Sequence, residues 1–199
     1  MLTLPSLLAH PDIILFAACS SRSDARKRFE DDFGGIAYAD YDAMLGNANV
    51  DAVYVATPHE LHMEHTVAAL EADKCVLLEK PMAISLAQAT TIVEASKTYD
   101  KTVIVGPSHS FDPAVGEALH LIKTGDFGKV KIVQSAYHTN FMYRPRRPEE
   151  LDTKRGGGVI FSQGAHQFDI ARMLAGGVGT SLVGQASVWD ASRHSETAY

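Results

Sequence analysis

Between residue 1 and about residue 106, short unbroken apolar runs alternate with longer amphipathic ones, and this rhythm leaves few folds open. An apolar run without polar alternation reads as a strand buried on both faces, and such strands belong to parallel sheets covered by helices. The spacing predicts strands over 13–19, 52–56, 75–78 and 102–105, with a weaker one over 36–38. Between them it predicts helices over 24–32, 41–45, 59–72 and 85–99, the last opened by Ser85 as N-cap. The expected fold class is α/β, a doubly wound parallel sheet.

The dinucleotide-binding form of that sheet, the Rossmann-like fold, opens with a strand, a glycine-rich turn and a helix whose N-terminus holds a pyrophosphate. Here residues 1–8 read as apolar helix, Pro11 leads into the 13–19 run, and no G-x-G-x-x-G stands upstream. The expectation is an incomplete Rossmann-like sheet, its first strand and glycine loop missing, with an unpaired edge on each strand beside the gap. A complete α/β fold that starts with a helix is the alternative.

After Gly106 the rhythm changes. A helix over 112–123 ends at Gly125, an alternating strand spans 129–139, and a Pro- and Arg-rich loop runs to Gly156. A helix over 159–174 and a strand over 182–189 complete the pattern. The division expected is residues 1–106 as a truncated dinucleotide-binding domain and 107–199 as part of an α+β domain for substrate and oligomerisation.

Bulk properties exclude several classes. A net charge of -6 and no basic run argue against nucleic acid as partner. No run approaches the ~20 apolar residues of a membrane span. Cys19 and Cys75 sit in apolar runs without metal or disulfide spacing, which fits a reducing, cytoplasmic setting. His59, His62 and His65 recur every three residues, but the outer two point apart on a helix, so no metal is expected.

The 52–56 strand runs into Thr57-Pro58-His59-Glu60-Leu61-His62, and the 75–78 strand into Glu79-Lys80-Pro81. Both are carboxyl ends of strands, where open α/β sheets place ligands. In combination, VYVATPHELHMEHTVAALEADKCVLLEKPMAISLAQA resembles the signature region of the Gfo/Idh/MocA oxidoreductases, and GGGVIFSQGAHQFDIARML resembles that family's glycine-triplet helix. The resemblance implies NAD or NADP as cofactor, a small-molecule substrate and a homo-oligomer built through the second domain. It gives Lys80 the role of the lysine that touches the reacting hydroxyl, framed by Glu79 and Pro81, and sets Thr57, Pro58 and His62 beside the nicotinamide ring. A lysine held near other cations has its pKa pushed down, and the neutral amine then accepts an alcohol proton. His166 matches the family's catalytic histidine. Where the family has an aspartate four residues earlier, this chain has Ser162, which shares a helix face with His166 at i, i+4. Gly156-Gly157-Gly158 follows no strand and reads as a close approach of backbone to a neighbour rather than a phosphate loop.

Arg144, Arg146 and Arg147 cluster in RPRRPEELD, and guanidinium is the usual bidentate partner of carboxylate. Glu149, Glu150 and Asp152 stand ready to neutralise at least one of them. With Gln163 they are the candidate substrate contacts. These segments resemble the phthalate cis-dihydrodiol dehydrogenases of the family more than its sugar enzymes. The implied reaction oxidises a carboxylated aromatic cis-dihydrodiol to a catechol. A sugar or polyol dehydrogenase is the alternative, as is a non-catalytic fragment that senses or binds. Ser20-Ser21-Arg22 takes the place of the acidic residue that selects the adenosine ribose of NAD, so either cofactor is expected.

Overall fold

A computed structural model describes residues 3–138 and 145–187. It opens with α1 (Thr3–Ala9), followed by β1 (Ala17–Cys19), α2 (Ser23–Phe33), β2 (Ile36–Tyr38) and α3 (Tyr41–Leu45). Next come β3 (Ala52–Val55), α4 (His62–Glu71), β4 (Cys75–Leu78), α5 (Leu86–Thr98) and β5 (Val103–Val105). The later residues add α6 (Pro113–Thr124) and α7 (Ala165–Ala175).

All strands pair in parallel, in two ladders, β1 with β2 and then β3-β4-β5. No pairing joins β1 to β3 among the described residues, and that gap is where a doubly wound dinucleotide fold sets its first strand. The expectation of two strands with unpaired facing edges therefore matches the observed ladders.

The core lies between β3-β4-β5 and the helices on them. Val53, Val55, Val76 and Leu78 face Ala69 and Leu70 of α4 and Ile92 of α5, and Leu70, Leu78 and Ile92 have no exposed surface. Local chemistry sets the helix starts. The Asp40 carboxylate accepts from the Asp42 amide ahead of α3, and Ser85 Oγ accepts from the Gln88 amide ahead of α5. Gly34, Gly125 and Gly176 end α2, α6 and α7 in the left-handed region.

Four expectations need correction. The first strand covers only Ala17–Cys19, and Ile14 is 85% exposed. A strand persists only as far as its ladder, and β2 offers three partners. Residues 129–138 form no strand, since no ladder partner stands beside them among the described residues, and position 139 lies outside these. Residues 182–186 likewise form no strand, and Trp189 lies outside the described residues. Finally, the 159–174 helix is not α-helical throughout, because Ile160–Gly164 form a π-helical turn ahead of α7.

Candidate active site

The carboxyl ends of β3 and β4 are tied together by one side chain. His62, at the start of α4, has no exposed surface, and its ring nitrogens lie 2.7 Å from the Pro81 carbonyl oxygen and 2.9 Å from that of Thr57. The sequence reading set His62 beside the nicotinamide. In this structure its ring holds the Thr57-Pro58 and Lys80-Pro81 loops at fixed separation. Thr57 is held a second time, by His65 Nδ1 at 3.2 Å from its Oγ1.

Lys80 leaves the end of β4 and crosses to the later part of the chain, where its Nζ donates to the Ser162 carbonyl at 2.7 Å. Burial pushes its pKa down, and the Arg146 guanidinium adds to this against the opposing charge of Glu79. Glu79 is fixed in turn, since the Tyr54 hydroxyl donates to its Oε1 at 2.5 Å and the Lys80 amide donates to Oε2 at 3.3 Å. The carbonyl that receives Lys80 belongs to the π-helical turn. Such a turn shifts bonding from i→i+4 toward i→i+5 and is frequent at functional sites.

Lys80, Arg146, Glu150, Ser162, Gln163, His59 and the backbone of Gly156-Gly157-Gly158 enclose a cleft of about 240 Å3. The glycine triplet forms one wall. A Cβ on Gly156 would stand 2.3 Å from Ile84 Cγ2, and φ there is +77°. Only glycine allows this approach, as the sequence suggested. The His59 ring lies 2.8 Å from the Gly156 carbonyl, and Arg155 bonds Glu60 at 2.6 Å. These contacts fasten the turn after β3 to the triplet.

His166, 4% exposed, stands on α7 beside this cleft. Its ring stacks on His109 with centroids 3.9 Å apart and planes 15° from parallel. Its Nδ1 is buried with no hydrogen-bond partner among the described residues. Burial, reinforced by Lys80 and His109, lowers its pKa to about 4, so the ring is neutral at neutral pH. Ser162 lies within the π-helical turn ahead of His166, and its Oγ accepts from the Gln163 side-chain Nε2 at 3.1 Å.

The arginines separate. The Arg146 side chain is 11% exposed, lies in the cleft, and approaches Glu150 at 3.5 Å. Arg147 is 58% exposed outside it, and both its amide and its guanidinium bind Glu150. Arg147, the other described arginine among the candidate substrate contacts, thus stands on the outer side of the loop, on Glu150. Arg144 lies outside the described residues. Burial would raise the Glu150 carboxyl, but hydrogen bonds from Arg147 and the charge of both arginines hold it below its ordinary value.

At the end of β1, Arg22 pairs with Asp24 while its amide donates to Ser20 Oγ. Arg26 folds back onto the Ser20 and Ser21 carbonyls at 2.7 and 3.0 Å. Sequence reasoning missed Tyr54, His109, Arg26 and the Glu60-Arg155 pair. Only Tyr54 had a legible signal, being two residues before the carboxyl end of a strand whose neighbour ends in Glu79.

The chain was compared with known proteins. Residues 3–107 match the model of the Gfo/Idh/MocA oxidoreductase family, NAD-binding Rossmann fold, and residues 115–198 match a C-terminal domain model of the same family. A 1-carboxy-3-chloro-3,4-dihydroxycyclohexa-1,5-diene dehydrogenase of Comamonas testosteroni is 40% identical over 200 residues, covering 100% of this chain and 50% of that protein. A myo-inositol 2-dehydrogenase of Thermotoga maritima is 29% identical over 167 residues, covering 83% of this chain and 48% of that one. A crystal structure from Bordetella bronchiseptica, described as a dehydrogenase, superposes with a TM-score of 0.93 at 36% identity, over 98% of this chain and 51% of its own. The chain spans about half the length of the curated relatives it matches.

Proposed function

The chain belongs to the Gfo/Idh/MocA oxidoreductase family, and on that premise we propose that it serves an NAD(P)-dependent dehydrogenase acting on a carboxylated aromatic cis-dihydrodiol. The observation that carries this reading is the pairing, in one cleft, of a half-buried lysine with a lowered pKa and a largely covered arginine.

The strand-end residues fit the ribose and nicotinamide parts of a dinucleotide, whereas no G-x-G-x-x-G turn for its pyrophosphate stands ahead of β1 in the sequence. Ser20, Ser21 and Arg22 lie beyond β1, Thr57 and Pro58 beyond β3, and Glu79-Lys80-Pro81 beyond β4, all at carboxyl ends of parallel strands. When bound, the nicotinamide supplies the hydride acceptor. A 2'-phosphate on the cofactor competes with Asp24 for Arg22, which leaves both NAD and NADP admissible.

The protein's own part is proton handling and positioning. Lys80, anchored by one hydrogen bond to the Ser162 carbonyl, takes the hydroxyl proton at Nζ, and its lowered pKa raises the fraction of neutral amine available. His166, neutral and beside Lys80, is placed to accept a hydrogen bond rather than the proton itself, since a ring that titrates at about 4 is the weaker base. Arg146 binds the substrate carboxylate and Gln163 lines the same cleft. This arrangement supports a division into a cofactor-binding part (1–106) and a substrate-binding part (107–199). Exposed apolar side chains in the second part, Ile132 and Val183 among them, support a homo-oligomer formed through it. We place the protein in the cytoplasm on its reduced cysteines. No helix among the described residues is long and apolar enough to cross a membrane.

Substrate charge tests the reading. Arg146→Ala in the full chain should lower kcat/KM for a carboxylated dihydrodiol by about one to two orders of magnitude, the loss of a charge-assisted hydrogen bond. The same variant should leave a neutral dihydrodiol nearly unaffected. If inositol is turned over better than any aromatic dihydrodiol, the polyol reading replaces this one.

A further inference from the structure

His109 has no place in the motifs that carry the family resemblance, yet it makes the closest ring contact of the site. It stands in the 3-10 turn Ser108–Phe111, directly after β5, and lies face to face with His166. Tyr137 packs on the His109 ring at 5.9 Å and 49°. Meanwhile the partner that the sequence pattern offered His166, the side chain at position 162, is turned away to Gln163. Among the described residues, His166 thus has a buried, unpartnered Nδ1 and no carboxylate bonded to its ring, and the group that fixes its ring plane is another imidazole.

We propose that His109 is a positioning residue for His166. It sets the orientation of the ring by stacking and keeps it an uncharged hydrogen-bonding group, because two imidazolium rings this close repel. This rests on the dehydrogenase reading for its consequence in turnover, but not for its effect on His166. The other charged or titratable groups facing His166 are Lys80 and Glu79 from the end of β4, and Asp169 on α7 itself. Lys80 serves the substrate, whereas His109 acts only through His166. A carboxylate partner would favour the charged form of a histidine, and a stacked imidazole opposes it. The substitution at position 162 and the stack therefore act in the same direction, toward a neutral His166.

The test compares His109→Phe, which keeps a ring but removes the charge, with His109→Ala, which removes both. In the full chain, the titration of His166 is followed by NMR of histidine-labelled protein, alongside the pH profile of kcat/KM. In His109→Phe the His166 midpoint should move up by about one unit, and the acid limb of the profile should move with it. In His109→Ala, kcat should fall further than in His109→Phe, by about tenfold, while KM for the cofactor stays near the parent value. An unmoved His166 midpoint in His109→Phe overturns the proposal, as does an equal kcat in the two variants. If His166 shifts as stated but the parent shows no dehydrogenase turnover, the functional reading fails and the role of His109 toward His166 stands.

Discussion

Residues 3–106 and residues 107–187 bury different things. The first region holds the apolar core, from Met44 and Leu45 through Val76 and Leu78 to Ile92 and Ala95. In the second, Val159 alone among described hydrophobic residues is buried, while Val178, Leu182 and Val183 are 79–96% exposed. What else the second region buries, among the described residues, is the cleft-lining Gly156-Gly157-Gly158 together with Ser110, Gly164 and His166. The contrast teaches that fold stability and site assembly come from separate parts of the chain. Lys80 is delivered by a fully packed strand, and the groups it meets are delivered by a turn, a glycine triplet and an irregular helix start.

Core truncation tests that separation with the largest effect. Leu70→Ala should destabilise by about 2–5 kcal/mol, since a buried leucine loses transfer energy and leaves a cavity. Leu182→Ala, at 79% exposure, should change stability by under about 0.5 kcal/mol. Chemical denaturation compares the two, and equal losses would erase the distinction.

Acid should act on the second region first. His166 titrates at about 4 in the folded chain, against about 6.5 when unfolded. The unfolded state binds the proton first as pH falls. The stability from this group is therefore complete above about pH 6.5 and is lost progressively down to about pH 4, up to roughly 3 kcal/mol. His166→Phe should flatten the dependence of denaturation midpoint on pH across that window. An unchanged slope would mean that His166 is not held neutral.

Smaller still is the junction. Gly156→Ala forces a Cβ against Ile84 and into a left-handed backbone, and should cost about 2 kcal/mol. Its larger signature should be a rise in KM, because the triplet walls the cleft. A variant with parent stability and kinetics would show that the wall can be moved freely.

The same contrast separates what could be read from the sequence from what could not. Strands 75–78 and 36–38 and helix 41–45 were legible to the residue, as was the Ser85 cap, because apolar runs and caps are local. Strands fell short at 13–16 and 129–138 because a ladder needs a partner, and no periodicity announces one. The π-helical turn at Ile160–Gly164 was invisible, since its apolar spacing also suits an α-helix. Lys80 was legible from its place after a buried strand and from the resemblance. His109 was not, because its contact with His166 joins positions 57 residues apart and depends on how α7 docks. Arg146 and Arg147 have the same chemistry in sequence, and only the path of the loop sends one inward and the other to Glu150.

The most direct measurement of the central claim is the formation of reduced nicotinamide, followed by its near-ultraviolet absorbance, when the full chain meets NAD or NADP and a carboxylated aromatic cis-dihydrodiol. The account predicts turnover that falls about 10²-fold or more in Lys80→Ala, with cofactor affinity nearly retained. Turnover in Lys80→Ala close to that of the parent would contradict it.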